Sequence, residues 1–296
     1  MDWQNFLQLV LSGITIGSIY AFIGIGFNII YNTTSIINFA QGEFVMLGGL
    51  ILYSFHQTLH IPLIPAILLT LILVTLIGIG MERLTLHPVK NPTVLNMIII
   101  TIGCSIFLKG VALSIWGREV YHLPFFFPRP PFRIGGASIT TQSLVVWIAL
   151  ILSSAFLYFF YRFTLLGKAM RACSVNPVAA RLMGIKVKSL VTLSFALAAF
   201  LGGLAGVTIT PISLMDYQRG SLLALKGFAA AVLGGLGKEF GAILAGMALG
   251  ITESLVAGYI SSGYKDAVSL LILLFILFVR PGGIMGSKEE ISLREL

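Results

Sequence analysis

Leu63-Ile64-Pro65-Ala66-Ile67-Leu68-Leu69-Thr70-Leu71-Ile72-Leu73-Val74-Thr75-Leu76-Ile77-Gly78-Ile79-Gly80-Met81 carries no acid or base from end to end. It is about as long as the ~20 residues that cross a bilayer core. The segment closes a longer charge-free run, 44–81, which the polar cluster His56-Gln57-Thr58-Leu59-His60 divides in two. Similar runs occupy 3–42, 91–108, 134–161 and 189–215. Overall 57% of the 296 residues are hydrophobic and 10% charged, against roughly 25% charged in globular chains. These figures exclude a soluble monomer. The chain reads as an all-α, polytopic integral membrane protein in which 1–296 forms a single transmembrane domain.

Breaks at polar clusters place spans near 6–30, 39–55, 62–84, 95–115, 140–161, 189–210, 240–258 and 266–279, with the glycine-rich stretch 222–238 as a ninth if it crosses. That is eight to nine transmembrane helices. The net charge of +8 has no solvated basic domain to present to nucleic acid, so it is read as orientation. Lys and Arg accumulate on cytoplasmic loops. Placing 162–188 inside and alternating outward puts twelve inside, among them Lys90, Lys288 and Arg294, and five outside: Arg118, Arg129, Arg133, Arg219 and Lys265. This arrangement has the amino terminus outside, the tail inside, and needs nine crossings. The first residues lack the basic region of a secretory signal, so the first span is expected to be retained. In 116–139, Pro124, Pro128, Pro130 and Pro131 prevent a continuous helix and predict an ordered outer loop. Trp3, Trp116 and Tyr158-Phe159-Phe160-Tyr161 fall at span ends and read as interface markers. Cys104 and Cys173 stand in different surroundings and imply no disulfide.

Small residues recur four apart in Gly13/Gly17, Gly202/Gly206, Gly237/Gly241 and Gly246/Gly250, the spacing that lets helix backbones approach closely in lipid. Close packing is the ordinary reading, and sliding helices in a transport cycle the second. Val45-Met46-Leu47-Gly48-Gly49 and Val232-Leu233-Gly234-Gly235 form a short internal echo, too brief to establish the repeated halves common in transporters. In the basic connection 162–188, Asn176-Pro177-Val178-Ala179-Ala180-Arg181-Leu182-Met183-Gly184 has Asn as N-cap, Pro in the first turn and Gly past the end. About two helical turns are unstable alone, so this helix must dock. Anionic headgroups and a cytoplasmic protein partner are both open as its support.

Acids and bases at membrane depth are costly and mark function or pairing. Here they are Glu43, Lys109, Lys226 and Glu253. Asn38-x-x-Gln41 resembles a capping box and Glu43 would face a helix amino terminus, so Asn38, Gln41, Gly42 and Glu43 are read either as a cap or as pathway residues. Glu253 could pair with Lys109 or Lys226, and Lys226 follows a loop with Asp216 and Arg219 at a candidate gate. No phosphate-binding loop is present, since Gly237-Lys238 is followed by Glu239. His56, His60, His87 and His122 lack zinc spacing. No metal or other cofactor and no membrane-enzyme constellation is predicted.

Ile37-Asn38-Phe39-Ala40-Gln41-Gly42-Glu43, Gly167-Lys168-Ala169-Met170-Arg171-Ala172-Cys173, Ala179-Ala180-Arg181-Leu182-Met183-Gly184-Ile185, Lys226-Gly227-Phe228-Ala229-Ala230-Ala231-Val232-Leu233-Gly234-Gly235-Leu236-Gly237 and the ending Arg280-Pro281-Gly282-Gly283-Ile284-Met285-Gly286 resemble, in order and over nearly the whole chain, the branched-chain amino acid ABC-transporter permeases. The shorter of the two permeases in such a system is the better match. The resemblance implies a bacterial inner-membrane subunit that moves branched-chain or similar apolar amino acids. Its expected partners are a second homologous permease, two cytoplasmic ABC ATPase subunits and a periplasmic or surface substrate-binding protein. It further implies that 162–188 is the cytoplasmic coupling segment and 176–184 its coupling helix, with Arg171, Asn176, Pro177, Ala179, Ala180, Arg181 and Gly184 as ATPase-coupling residues. Importers of this kind often have a glutamate before the paired alanines, where this chain has Val178. Urea or short amides, substrates of sister permeases, stay open, as does a self-sufficient secondary transporter or channel.

Overall fold

In lipid every backbone amide must find its partner within the chain, which leaves helices as the solution for runs as apolar as these. The computed structural model describes residues 3–89, 93–280 and 282–286. Its helices are α1 (Trp3–Thr34), α2 (Gln41–Tyr53), α3 (Leu63–Met81), α4 (Val94–Trp116), α5 (Thr141–Phe163), α6 (Leu165–Val175), α7 (Pro177–Leu182), α8 (Val187–Ile209), α9 (Arg219–Gly234), α10 (Glu239–Tyr259) and α11 (Lys265–Val279). α2 and α3 each run on into a π turn, Ser54–Thr58 and Glu82–Leu86. Threonine caps open α4, α5 and α6: the hydroxyls of Thr93, Thr140 and Thr164 accept from the amides of Asn96, Ser143 and Gly167. Lys90, Pro281, Lys288 and Arg294 lie outside the described residues.

Seven described helices are long and apolar enough to cross a membrane: α1, α3 with its π turn, α4, α5, α8, α10, and α11 with the short 3-10 turn before it. α2 and α9 are shorter, and each begins inside the bundle. The Gln41 side chain donates 3.0 Å to the carbonyl of Ala198, midway along α8, and Ser105, which binds Glu43 at 2.9 Å, is midway along α4. Thus α2 starts at half depth, reached by the irregular segment 35–40. α9 starts against it, since Gly42 and Gly220 are packed backbone to backbone: a Cβ on either would fall 2.1 Å or 2.6 Å from the other's carbonyl oxygen. If these two half-depth helices also complete passes, they add to the seven spans, and α9 is the element in which 222–238 falls.

Helix pairing follows an inverted pattern. α1 runs antiparallel to α10, with Gly13 on Ile251, Gly17 on Gly246 and Gly24 on Ala242. α8 runs antiparallel to α3, with Gly203 on Val74 and Ala199 on Gly78. α2 lies along α8 and α9 along α1. The sets α1-α2-α3 and α8-α9-α10 are therefore oppositely oriented copies, the arrangement of many transporters. The echo between 45–49 and 232–235 is not part of this symmetry, because the first lies within α2 and the second at the end of α9; Gly42 and Gly220 are the equivalent pair. Gly202 and Gly206 seat Phe44 and the Val45 carbonyl, so the four-residue glycine spacing serves close packing here.

Between α4 and α5 the chain forms a hairpin, Phe132–Ile134 paired with Ala137–Ile139, and Tyr121 exchanges backbone hydrogen bonds with Met215 (2.8 and 2.9 Å). Gln8 near the start of α1 holds the hairpin through the Ser138 amide at 2.7 Å. Tyr161 departs from the interface-marker reading: it is buried, because the end of α5 is covered by α6 and by the start of α10.

Candidate functional site

The half-depth junction is built where the two short helices meet. Glu43, in the first turn of α2, is fully buried, and its Oε1 accepts from Ser105 on α4 and Ser221 on α9, both at 2.9 Å. Ser221 lies in the first turn of α9, so one carboxylate meets the positive ends of two helix dipoles. The capping box is not formed. Asn38 Oδ1 accepts instead from the Ala40 amide at 3.1 Å, while Gln41 reaches across to α8. Glu43 Oε2, Gln41 Oε1 and Asn38 Nδ2 are buried and make no hydrogen bond. Such atoms are rare in finished interiors, and three of them meet at this one junction. Gly42 permits the approach of α9 and carries no chemistry itself.

A second polar cluster is centred on Lys226 of α9. Lys226 Nζ binds Glu253 Oε1 at 2.6 Å and Asp266 Oδ1 at 2.5 Å. Tyr20 donates to Glu253 Oε2 at 2.6 Å, and Ser269 donates to Oε1. Four helices, α1, α9, α10 and α11, converge on it. Glu253 is buried, whereas the Asp266 side chain is 62% exposed, so the cluster reaches the protein surface. Of the two partners open to Glu253, Lys226 is the one in contact. Asp266, Tyr20 and Ser269 escaped sequence reading, Asp266 because it stands at the edge of a span beside Lys265, where a charge is unremarkable. Near the proposed gate, Asp216 accepts from the amides of Gln218 and Arg219 and so turns the chain into α9.

On the side of 162–188, Asn176 Oδ1 accepts from the amides of Val178 and Ala179 at 3.0 and 2.9 Å. The far end of α7 closes with Gly184 N to Arg181 O at 3.0 Å and Ile185 N to Ala180 O at 3.1 Å, a Schellman pair around Gly184 at φ +83°. Ala180 is buried; Ala179, Arg181, Val178, Leu182 and Met183 are exposed. Arg171 donates to the Tyr161 carbonyl, which fastens α6 to the end of α5. Glu82 was also missed: it is buried and accepts from Thr192 at 2.7 Å and His87 at 3.3 Å, joining α3 to α8. A cavity of about 630 Å³ opens on this side between α1, α5, α6 and α10, with Arg162 and Arg171 at its edge. His56 bonds the Ile61 carbonyl at 2.9 Å, and the described residues contain no group of three or more metal-binding side chains.

An inverted-repeat membrane bundle whose half-depth helices meet at a buried carboxylate, and whose basic side projects a capped helix, is a transport permease by architecture. Comparison with known proteins specifies which kind. Residues 9–277 match the family described as branched-chain amino acid transport system, permease component, and the chain belongs to that family. It is 36% identical to the high-affinity branched-chain amino acid transport system permease protein LivH of Salmonella typhimurium, covering 96% of each chain. It is 30% identical to the corresponding protein BraD of Pseudomonas aeruginosa, over 96% of this chain and 97% of that one. Its fold is similar to that of PsaBC from Streptococcus pneumoniae in complex with Fab, with TM-score 0.51, 16% identity, and 95% and 94% of the two chains covered.

Proposed function

We propose that this chain is the shorter permease subunit of an ATP-driven importer of branched-chain amino acids in a bacterial inner membrane. In this reading it pairs with a second homologous permease, two cytoplasmic ATPases and an external substrate-binding protein. One observation carries the coupling role: α7 is completely capped at both ends, yet its apolar residues point away from the bundle, with Leu182 and Met183 each 84% exposed. Exposed apolar side chains on so short and well-braced a helix fit a socket in a partner. Arg171 and Ala180 brace the helix, while Val178, Ala179, Arg181 and Leu182 form the surface that docks. Closure of the ATPases then moves α7 together with α6, and the bundle changes between outward and inward openings because ATP and the loaded binding protein favour different states. Asn38, Gln41, Gly42 and Glu43 line the path at half depth, and Lys226 and Glu253 border it.

Gly184 supplies the test. Its surroundings are open, with nothing within 4 Å of a Cβ placed there, so a substitution meets only the backbone cost of a left-handed residue, about 1–2 kcal/mol. Gly184→Val should leave the complex assembled but lower ATP-driven leucine uptake, while Gly184→Asn, which tolerates this conformation, should retain most of it. Normal uptake by an assembled Gly184→Val complex would remove the coupling assignment. Leucine transport by the purified chain alone in liposomes would replace the importer reading with that of a self-sufficient carrier.

A further inference from the structure

Beside the half-depth junction lies a cavity of about 360 Å³ between α1, α4, α9 and the segment before α2, within the size range of small-ligand sites. One part of its wall is aromatic: Phe228 packs edge-on against Phe27, with centroids 5.7 Å apart, and against Phe39 at 6.3 Å. Another part holds the hydroxyls of Ser105 and Ser221, and Lys109 also lines the space.

The chemistry of these groups is directional. Both serines spend their hydrogens on Glu43 Oε1, so what they have left for the cavity is lone pairs. Acceptors backed by a carboxylate select a donor-rich cation. Lys109 has the opposite character: it offers three donors and a positive charge, and forms no hydrogen bond or ion pair among the described residues. Its position seven residues before the end of α4 makes it costly unless something anionic or wet faces it; the Glu43 carboxylate is near enough to feel its charge but does not bond it. Glu43, whose Oε2 is also without a hydrogen bond, backs both serines through Oε1. One small space thus presents an acceptor pair, a donor cation and an aromatic wall.

We propose that this cavity is a way-station for the zwitterionic amino acid at half depth, with the ammonium on Ser105 and Ser221, the carboxylate on Lys109 and the branched side chain against Phe27, Phe39 and Phe228. The inference rests on the importer reading above and locates its substrate. It also explains how an apolar path handles two charges: the ends are held by one lysine and two hydroxyls rather than by charged rings, so binding stays weak enough for release.

The test uses the assembled permease–ATPase complex in nanodiscs without its binding protein, which would otherwise impose its own selectivity. Labelled L-leucine is displaced by unlabelled L-leucine, by 4-methylpentanoate, which lacks the ammonium, and by 3-methylbutylamine, which lacks the carboxylate. In the unaltered complex each analogue should compete at least about tenfold more weakly than leucine, the loss expected for one charge-assisted contact. Lys109→Met should bring leucine down to the level of the amine, and Ser105→Ala with Ser221→Ala should bring it down to the level of the acid. Phe228→Trp, which narrows the space, should weaken leucine and both analogues together. A merely structural role would not produce opposite analogue preferences in the lysine and serine variants. Unchanged leucine binding in Lys109→Met and Phe228→Trp, or no binding in a complex that imports leucine once its binding protein is added, would overturn the way-station. Failure of the complete system to import leucine would instead overturn the function proposed above.

Discussion

Lys226 holds two acids at once, and that asymmetry governs what its loss should do. With Lys226→Met, Glu253 and Asp266 lose the one cation they share, leaving Glu253 with Tyr20 and Ser269 as donors. With Glu253→Gln, Lys226 keeps Asp266, and Tyr20 still finds an oxygen to bond. Breaking a buried pair from one side costs roughly 3–5 kcal/mol, so Lys226→Met should impair uptake or assembly more than Glu253→Gln, and the double variant should recover part of the loss. A double-mutant cycle on leucine uptake, normalised to assembled complex, measures this; strict additivity would show that the two side chains act separately. The pair was legible in sequence because charges are so scarce in this chain that each demands a partner. The hydroxyl partners were not, since Ser and Thr in membrane helices ordinarily bond their own turn, as Thr70 does to the Ala66 carbonyl at 2.7 Å. Nothing in a single sequence shows that Ser105, Ser221 and Ser269 reach across helices instead.

At the level of elements the long spans were readable to within a few residues, because hydropathy measures the length of an apolar run. It could not reveal where α2 and α9 begin. Their amino ends stand at half depth, and a half-helix preceded by an apolar irregular segment has the same hydropathy as a full span. The capping-box pattern at Asn38 and Gln41 misled for a related reason: the bundle supplies the Ala198 carbonyl, a better partner for Gln41 than the local amide. The sequence clue that remains is glycine at Gly42 and again at Gly220, where the two backbones touch. Gly42→Ala would put a methyl group 2.1 Å from the Gly220 carbonyl and 2.5 Å from the Ala224 Cβ, and neither helix can retreat without disturbing Glu43 and its serines. Overpacking of this kind costs about 1–3 kcal/mol. A lower thermal midpoint for the purified complex should accompany reduced uptake, and Gly220→Ala should behave in the same way because the contact is reciprocal. By contrast, Gly80→Ala faces open space and should leave the midpoint unchanged. Equal midpoints for all three variants would mean that the junction tolerates separation.

For the molecule as a whole, the inverted repeat and the positive-inside bias constrain each other. α1 and α8 must run in opposite directions, as must α2 and α9, so fixing the side of any one loop fixes the side of all. An odd number of crossings requires that α9 cross, and its two ends can be addressed directly. Leu214 precedes α9 and is half exposed; Phe240 follows it and is more open still. In sealed, oriented vesicles, Leu214→Cys should react with a membrane-impermeant maleimide from outside and Phe240→Cys only from inside. The native Cys173 is a poor reporter for this purpose although it lies in the basic segment. It sits on the buried face of α6, and burial pushes its thiol pKa above the ordinary value. Less of the reactive thiolate is therefore present at neutral pH, and labelling should be slow from either side, accelerating only as pH rises through that raised value. Val175→Cys, two residues further on and 84% exposed, should label rapidly from the inside alone. Labelling of positions 214 and 240 from the same side would make α9 a re-entrant helix, put the two chain ends on the same side, and break the opposed orientation of α1-α2-α3 and α8-α9-α10 on which the half-depth junction depends.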